Sequence, residues 1–491
     1  MRQRPVLSRR AAVRTAAAAI AGLTVAPHLR AHEGRHQGAS GLLIRGGRVV
    51  NADGAVVADV RIVGETIAEV GPSLRAGPDV RMVDARGKLV IPGGIDPHTH
   101  LHPSFVDDLT TGSRAALAGG ITTVGTFAFA GRDETPIAAL ERLSGLAARH
   151  AIADVFLHTG LTVPPLEFAQ LLPELVARGQ PSFKVFMPSP AFAAQIGPFV
   201  QLLEAARDAG VITVVHCEDS ALLAAAVRRL QAEGRTSFAH YGESRPVIAE
   251  VAATQQIAAL GESSRAPLHV VHLSSARALD ACRAAKRAGV PLTVETRPLY
   301  LHLDETAMRG PDAPLFVGQP PLRPKADVDA MWAGLLDRSI DFLATDHAPW
   351  RREQKMDPAL NVARVRPGVS NLQHMLPMYF SEGTATRGLS VEHFVATTST
   401  NAARRFGLYP RKGVIRAGSD ADVVLWDPAR TAPVRGADDL SNADYSVYEG
   451  RAVTGWPVMT IRRGQVVCEG LNVTGTPGSG KVIARERWKG S

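Results

Sequence analysis

The stretch Gly93-Gly94-Ile95-Asp96-Pro97-His98-Thr99-His100 joins an apolar run to two imidazoles one residue apart. Side chains two apart on a strand share a face, so His98 and His100 can hold one cation together. Alone the pair is weak evidence, because such pairs also arise by chance on surfaces. Working outward, the apolar run at 89–95 is followed by others at 121–127, 155–158, 183–187, 211–216, 268–272, 292–295 and 342–345. Most intervening segments, such as 221–232 and 276–288, are Ala/Leu/Arg-rich and helix-capable. Eight strand and helix units predict an α/β fold closed into a TIM (β/α)8 barrel, with an open doubly wound sheet as the alternative.

Chemistry-bearing residues recur at the ends of these strands. Strand four contains Lys184, strand five ends at His216, strand six at His272, and strand eight runs into Asp346-His347. The C-terminal ends of barrel strands converge on one face, where active sites are built. Buried apolar strands have no packing reason to finish repeatedly in imidazole or carboxylate, so the set predicts a metal centre.

Short alternating strands flank this region on both sides, over 42–70 and again at 421–426, 457–462 and 465–468. They predict a small β-sandwich assembled from both ends of the chain. The expected division is a leader at 1–31, sandwich at 41–91, barrel at 92–408, sandwich again at 409–470, and a flexible tail at 471–491.

The chain has 491 residues, 45% of them hydrophobic, with three cysteines and a formal charge of +8. That composition excludes wholesale disorder, a collagen-like chain and a disulfide scaffold. Arg2, Arg4, Arg9, Arg10, Arg14 and Arg30 supply most of the excess charge, and Lys481, Arg485, Arg487 and Lys489 outnumber Glu486 in the tail. The body is close to neutral, so no nucleic-acid partner is called for. The apolar run after the arginines is too short for a permanent membrane anchor. Ser8-Arg9-Arg10 ahead of an acid-free, Ala-rich run resembles a twin-arginine export signal, which implies a periplasmic or secreted protein; a cytoplasmic one is the alternative.

The string Gly93 to Leu101 resembles the first metal motif of the amidohydrolase superfamily, in its cyclic-amidase branch of dihydropyrimidinases, hydantoinases, allantoinases and dihydroorotases. Ser182-Phe183-Lys184-Val185-Phe186-Met187, Val270-Val271-His272-Leu273-Ser274-Ser275 and Thr345-Asp346-His347-Ala348-Pro349 are similar to further family segments, as is 401–407. The stretch 407–422 looks like the dihydropyrimidinase and hydantoinase subgroup. The resemblance implies two divalent metal ions, zinc in type. His98 and His100 would hold one and His216 and His272 the other. Lys184, carboxylated by carbon dioxide, would bridge them, and Asp346 would bind the first ion and move the proton. It also implies ring opening of a small cyclic amide, and a homodimer or homotetramer.

This sequence departs from the family where the ring would sit. Ser189 replaces a tyrosine that serves the oxyanion, Gln319 replaces a serine before Pro-Pro-Leu-Arg, and Pro367-Gly368 stands for Asn-Gly. Segment 368–373 looks more like the allantoinase version. Arg297 occupies a position where small residues are usual. It is expected either to pair with a substrate carboxylate or to be a loop arginine, solvated or paired with Glu295 or another acid. These changes keep open an allantoinase- or dihydroorotase-like hydrolase and an amidohydrolase of non-cyclic amides; a non-catalytic scaffold, as in relatives that have lost metal ligands, is opposed by the six intact ligand positions. Gly475 to Lys481 has phosphate-loop spacing, but Val482 stands where Ser or Thr is required, so no nucleotide site is expected. Cys217 is expected to pack.

Overall fold

Gly93 marks the point where the chain crosses from one sheet to another. The computed structural model describes residues 41–490 apart from 78, 102 and 163–165, so the leader expected at 1–31 lies outside the described residues. Five strands precede the crossing: β1 (Gly41–Asn51), β2 (Gly54–Val63), β3 (Thr66–Gly71), β4 (Val80–Asp84) and β5 (Leu89–Pro92). The central eight are β6 (Gly94–Thr99), β7 (Ile121–Phe129), β8 (Asp154–Leu161), β9 (Ser182–Phe186), β10 (Ile212–His216), β11 (Leu268–Val270), β12 (Leu292–Thr296) and β13 (Phe342–Leu343). Four more return late: β14 (Val423–Pro433), β15 (Ala452–Arg462), β16 (Gln465–Glu469) and β17 (Asn472–Val473).

Strands β6 to β13 pair in sequence order, the paired neighbours all parallel, with helices in the connections, as a (β/α)8 barrel requires. Closure between β13 and β6 uses the residues around the opening motif. Thr99 bridges to His347, and the His100 N–H donates to the His347 carbonyl at 2.8 Å. Asp96 accepts both the N–H and the hydroxyl of Thr345, so the acid inside that motif latches the barrel. Ile95, Phe156, Ile212, Val214, Val271 and Phe342 form one apolar cluster. Their strand neighbours Val155, Leu157 and Val215 point the other way and pack with the helices.

The expected strand at 89–95 is two strands. β5 pairs with β1 and β14 in the small sheet, and only from Gly94 does the chain join the barrel. A Cβ on Gly93 would stand 2.2 Å from the Thr122 hydroxyl, so the crossing needs a residue without one.

The two ends of the described chain do meet: β14 pairs antiparallel with β5, and one nine-stranded mixed sheet results. Its side chains enclose a separate core that includes Leu42, Ile44, Val60, Ile67, Val423 and Ile461. The stretch between β14 and β15, expected within the sandwich, instead reaches the barrel. Ser441 and Asn442 hold the Asp107 carboxylate, and the Tyr448 hydroxyl donates to Asn371 at 2.7 Å.

The expected flexible tail at 471–491 is a strap. Val482 pairs with Val155, Arg485 N–H donates to Gly179, and Trp488 N–H donates to Gly210. The strap thus crosses the entry ends of successive strands. Arg485 is 5% exposed; its guanidinium donates to Leu157 and Ser182 and lies 4.7 Å over the Phe156 ring. Lys481, the lysine of the phosphate-loop spacing, pairs with Glu65. Asp154, Asp420 and Asp422 lie close enough together to hold a cation, yet the buried Lys412 ammonium contacts all three and fills that role. Among the described residues no helix is long and apolar enough to cross a membrane.

Candidate active site

The six expected ligands arrive at the same end of the barrel from five strands. His98 belongs to β6 and His100 follows it, Lys184 belongs to β9 and His216 to β10, while His272 and Asp346 follow β11 and β13. The last two adopt left-handed backbone, with φ of 40° and 48°. Non-glycine residues seldom do so, and here the sharp turn brings both side chains back over the barrel mouth. Their strands are therefore shorter than the apolar runs at 268–272 and 342–345 predict.

The six side chains converge on the floor of a cavity of about 220 Å3. Asp346 Oδ1 lies 3.1 Å from His100 Nε2 and 3.3 Å from His98 Nε2. His272 Nε2 faces His216 Nδ1 at 3.1 Å, and Lys184 Nζ stands 3.3 Å from His98 Nε2. Ring nitrogens that face one another, a carboxylate between two imidazoles and the partnerless, buried Nδ1 of His272 are what a cation-binding floor offers. His98, His100 and Asp346 group as one potential metal site. Burial pushes His98, His216 and His272 down, His98 and His272 furthest, which keeps their lone pairs free for a metal.

Lys184 is buried beside the rings of Phe127 and Phe186, at 5.1 and 5.3 Å. Burial brings its ammonium down to about 8. Buried acids behind the floor orient the ligands. Glu295 meets His98 Nδ1 at 2.5 Å and His269 at 2.9 Å, and burial raises its carboxyl to about 8. Glu218 accepts from His216 Nε2 at 2.7 Å and pairs with Arg245; burial works against its ionisation, but Arg245 and His216 prevail and hold it at about 2. Such partners fix the tautomer and aim of a ligand imidazole. Sequence reasoning missed both roles, although Glu218 follows His216 by two residues and so had a visible signal.

The remaining described walls are formed by Phe105, Phe186, Pro188, Ala348, Pro367 and Gly368, together with Gln319. Among the four positions expected to touch substrate, Gln319 and Pro367 line the cavity. Ser189 does not: its place is taken by Pro188, while Ser189 starts the short helix Pro190–Ala193. Arg297 is fully buried rather than solvated, and it pairs with Asp346 Oδ2 at 2.6 Å, the other-acid alternative rather than Glu295. It lies outside the cavity lining, so it is not placed to meet a substrate carboxylate. Cys217 is buried, and burial pushes its thiol up, away from a nucleophilic thiolate.

The amidohydrolase family model matches residues 89–467. The chain belongs to the amidohydrolase family. The D-phenylhydantoinase of Escherichia coli O1:K1 / APEC is 34% identical over 454 residues, covering 91% of this chain and 98% of that protein. Among solved structures, a D-hydantoinase (dihydropyrimidinase) from Thermus sp. is 34% identical, with a TM-score of 0.87 over 91% of this chain and 99% of its own. The L-hydantoinase (dihydropyrimidinase) from Arthrobacter aurescens is 27% identical, with a TM-score of 0.84 over 91% of this chain and all of its own. This amidohydrolase therefore shares its fold over 91% of its length with both a D-hydantoinase and an L-hydantoinase. Family membership together with the His98, His100 and Asp346 group makes it a divalent-metal protein.

Proposed function

We propose that this amidohydrolase opens a cyclic amide ring, a five- or six-membered ureide or imide, to the corresponding N-carbamoyl or amide acid. The observation that carries the reading is the convergence of His98, His100, Lys184, His216, His272 and Asp346 on the floor of one cavity. Two ions, zinc in type, fit this donor set, with His98, His100 and Asp346 holding one and His216 and His272 the other. Bound there, such ions supply a polarised carbonyl and a water acidic enough to attack near neutral pH.

The protein's own groups do the rest. Lys184, with its ammonium brought down to about 8 by burial, keeps a fraction of neutral amine near neutral pH; that amine would add carbon dioxide, losing a proton, and would then serve as a carboxylate ligand on a long stem. Asp346 accepts the proton of the attacking water and returns it to the departing ring nitrogen. Glu295 and Glu218 keep His98 and His216 aimed. The hydrocarbon walls exclude bulk water and take the ring substituent.

Zinc analysis with assays on hydantoin, dihydrouracil and allantoin tests the reading. Protein carrying two zinc ions per chain that opens at least one ring supports it; fully loaded protein that opens none overturns it. A linear amide is the second reading, favoured by the placement of Ser189 off the cavity, and hydrolysis of N-carbamoyl or acyl amides without ring opening would select it. The family resemblance supports a homodimer or homotetramer, which sedimentation measures. The Ser8-Arg9-Arg10 leader supports export of the folded chain, and a periplasmic fraction lost on Arg9→Lys with Arg10→Lys would test that route.

A further inference from the structure

We propose that Arg297 is a positioning residue that acts through Asp346: it holds Oδ2, leaves Oδ1 as the oxygen offered to a divalent ion, and keeps that ion more loosely bound than its ligands alone would make it. The inference rests on His98, His100 and Asp346 holding such an ion, as read above. Strand pairing produces the contact. β12 runs parallel to β13 with Thr296 opposite Leu343, and the Ala344 N–H donates to the Thr296 carbonyl at 3.1 Å. Arg297 and Asp346 therefore leave neighbouring strands close together, and Arg297 Nη1 donates to Asp346 Oδ2 at 2.6 Å. Oδ1 is the oxygen that faces His98 and His100.

Little else holds this arginine. Its side chain is fully buried, Nε and Nη2 have no hydrogen-bond partner, and among the described residues its one ion pair is with Asp346. The Tyr300 ring lies 5.4 Å from the guanidinium, but its hydroxyl donates to the Pro320 carbonyl. Glu295, the nearby buried acid, is engaged by His98 and His269. Lys355, a second buried cation, is held by the carbonyls of Val317, Arg366 and Gly368 and adds like charge. A guanidinium taken out of water with two nitrogens unsatisfied weighs against folding, so its charge is balanced by Asp346 or not at all. When a metal takes Oδ1, guanidinium and metal share one carboxylate. Whatever the ion pair contributes to the metal-free chain is then withdrawn from metal binding. The same contact keeps the carboxylate in one orientation, as outer partners of metal ligands do.

The test measures zinc affinity by competition with a chromogenic chelator, on the full chain first stripped of metal. Arg297→Met should bind zinc roughly tenfold or more tightly than wild type, the scale on which the partners of ligands act. Arg297→Lys should stay within about threefold of wild type, because one nitrogen makes the contact and a point charge can replace it. A merely structural arginine predicts the opposite sign, since its loss would loosen the floor and weaken zinc binding. In an Asp346→Asn background the Arg297→Met effect should shrink to about threefold or less, because the coupling needs both partners. Unchanged or weaker zinc binding in Arg297→Met, beside weakened binding in Asp346→Asn, overturns the proposal alone. Where Arg297→Met does not fold, the same outcome in Arg297→Gln, which keeps a hydrogen bond to Oδ2 without the charge, overturns it. An Asp346→Asn chain with wild-type zinc affinity takes Asp346 out of the metal site and overturns the site reading together with the proposal. Ring opening plays no part in the measurement, so the result stands whichever amide the protein hydrolyses.

Discussion

The two oxygens of Asp346 face opposite demands: Oδ1 lies between His98 and His100, and Oδ2 is held by Arg297 at 2.6 Å. Removing one member of a buried ion pair strands its partner, at a cost of roughly 3–5 kcal/mol. Arg297→Met should therefore destabilise metal-free protein by about that much, and less once a metal neutralises Asp346. Thermal unfolding with and without a chelator measures the difference. Since Arg297 lies off the cavity, the variant should change kcat without altering the preference between acidic and neutral rings. On the two-ion reading proposed above, Lys184→Ala would remove the stem between the ions; metal content should fall, and kcat by roughly 10²-fold or more, the scale of losing a key electrostatic group. Metal analysis and steady-state kinetics check both. At this scale the convergence of imidazole, lysine and carboxylate on one face was legible in the sequence, because imidazole at the end of an apolar strand has no packing explanation. The Arg297 pairing was not, because spacing along one strand says nothing of which acid arrives from another.

Between strand and loop, conformations rather than side chains decide the site. Gly368 sits at φ 113°, and a Cβ there would stand 2.2 Å from the Ala348 carbonyl. Gly368→Ala should cost more than ~1 kcal/mol of stability and lower kcat/KM while zinc content holds, because the loop lies on the wall and not the floor. Glu218 joins the end of β10 to Arg245 just ahead of the helix Val247–Ser264. With its carboxyl held at about 2 against an ordinary 4.5, this pairing is fully present above pH 4.5 and is lost as pH falls toward 2. Acid unfolding followed by circular dichroism should show a loss across that window, and Glu218→Gln should flatten it. The strand order could be read from eight apolar runs. Their ends could not, because the turns at His272 and Asp346 use backbone angles that residue type does not announce.

Over the whole molecule, the strap at 481–488 does what helices and strands do elsewhere. Arg485 reaches under the barrel to Ser182, two residues before Lys184 on the same strand. Arg485→Met should lower the thermal midpoint by several degrees, as losing roughly 1–3 kcal/mol of buried hydrogen bonding would in a chain of this size, with ring specificity intact. A thermal scan and the hydantoin assay decide it. Composition had cast this segment as loose because glycine, proline and charge are common in it. Its anchoring depends on carbonyls that the barrel leaves unpaired, and those become visible only in three dimensions.

That anchoring also dictates a timetable for biosynthesis. Lys481 donates its N–H to Asp154 across 327 residues of sequence. A ribosome that has just placed Asp154 at the start of β8 must translate all of that intervening chain before the barrel's underside can be sealed. Until then the newborn strands present an uncovered rim, the condition in which long-range β proteins depend on chaperones.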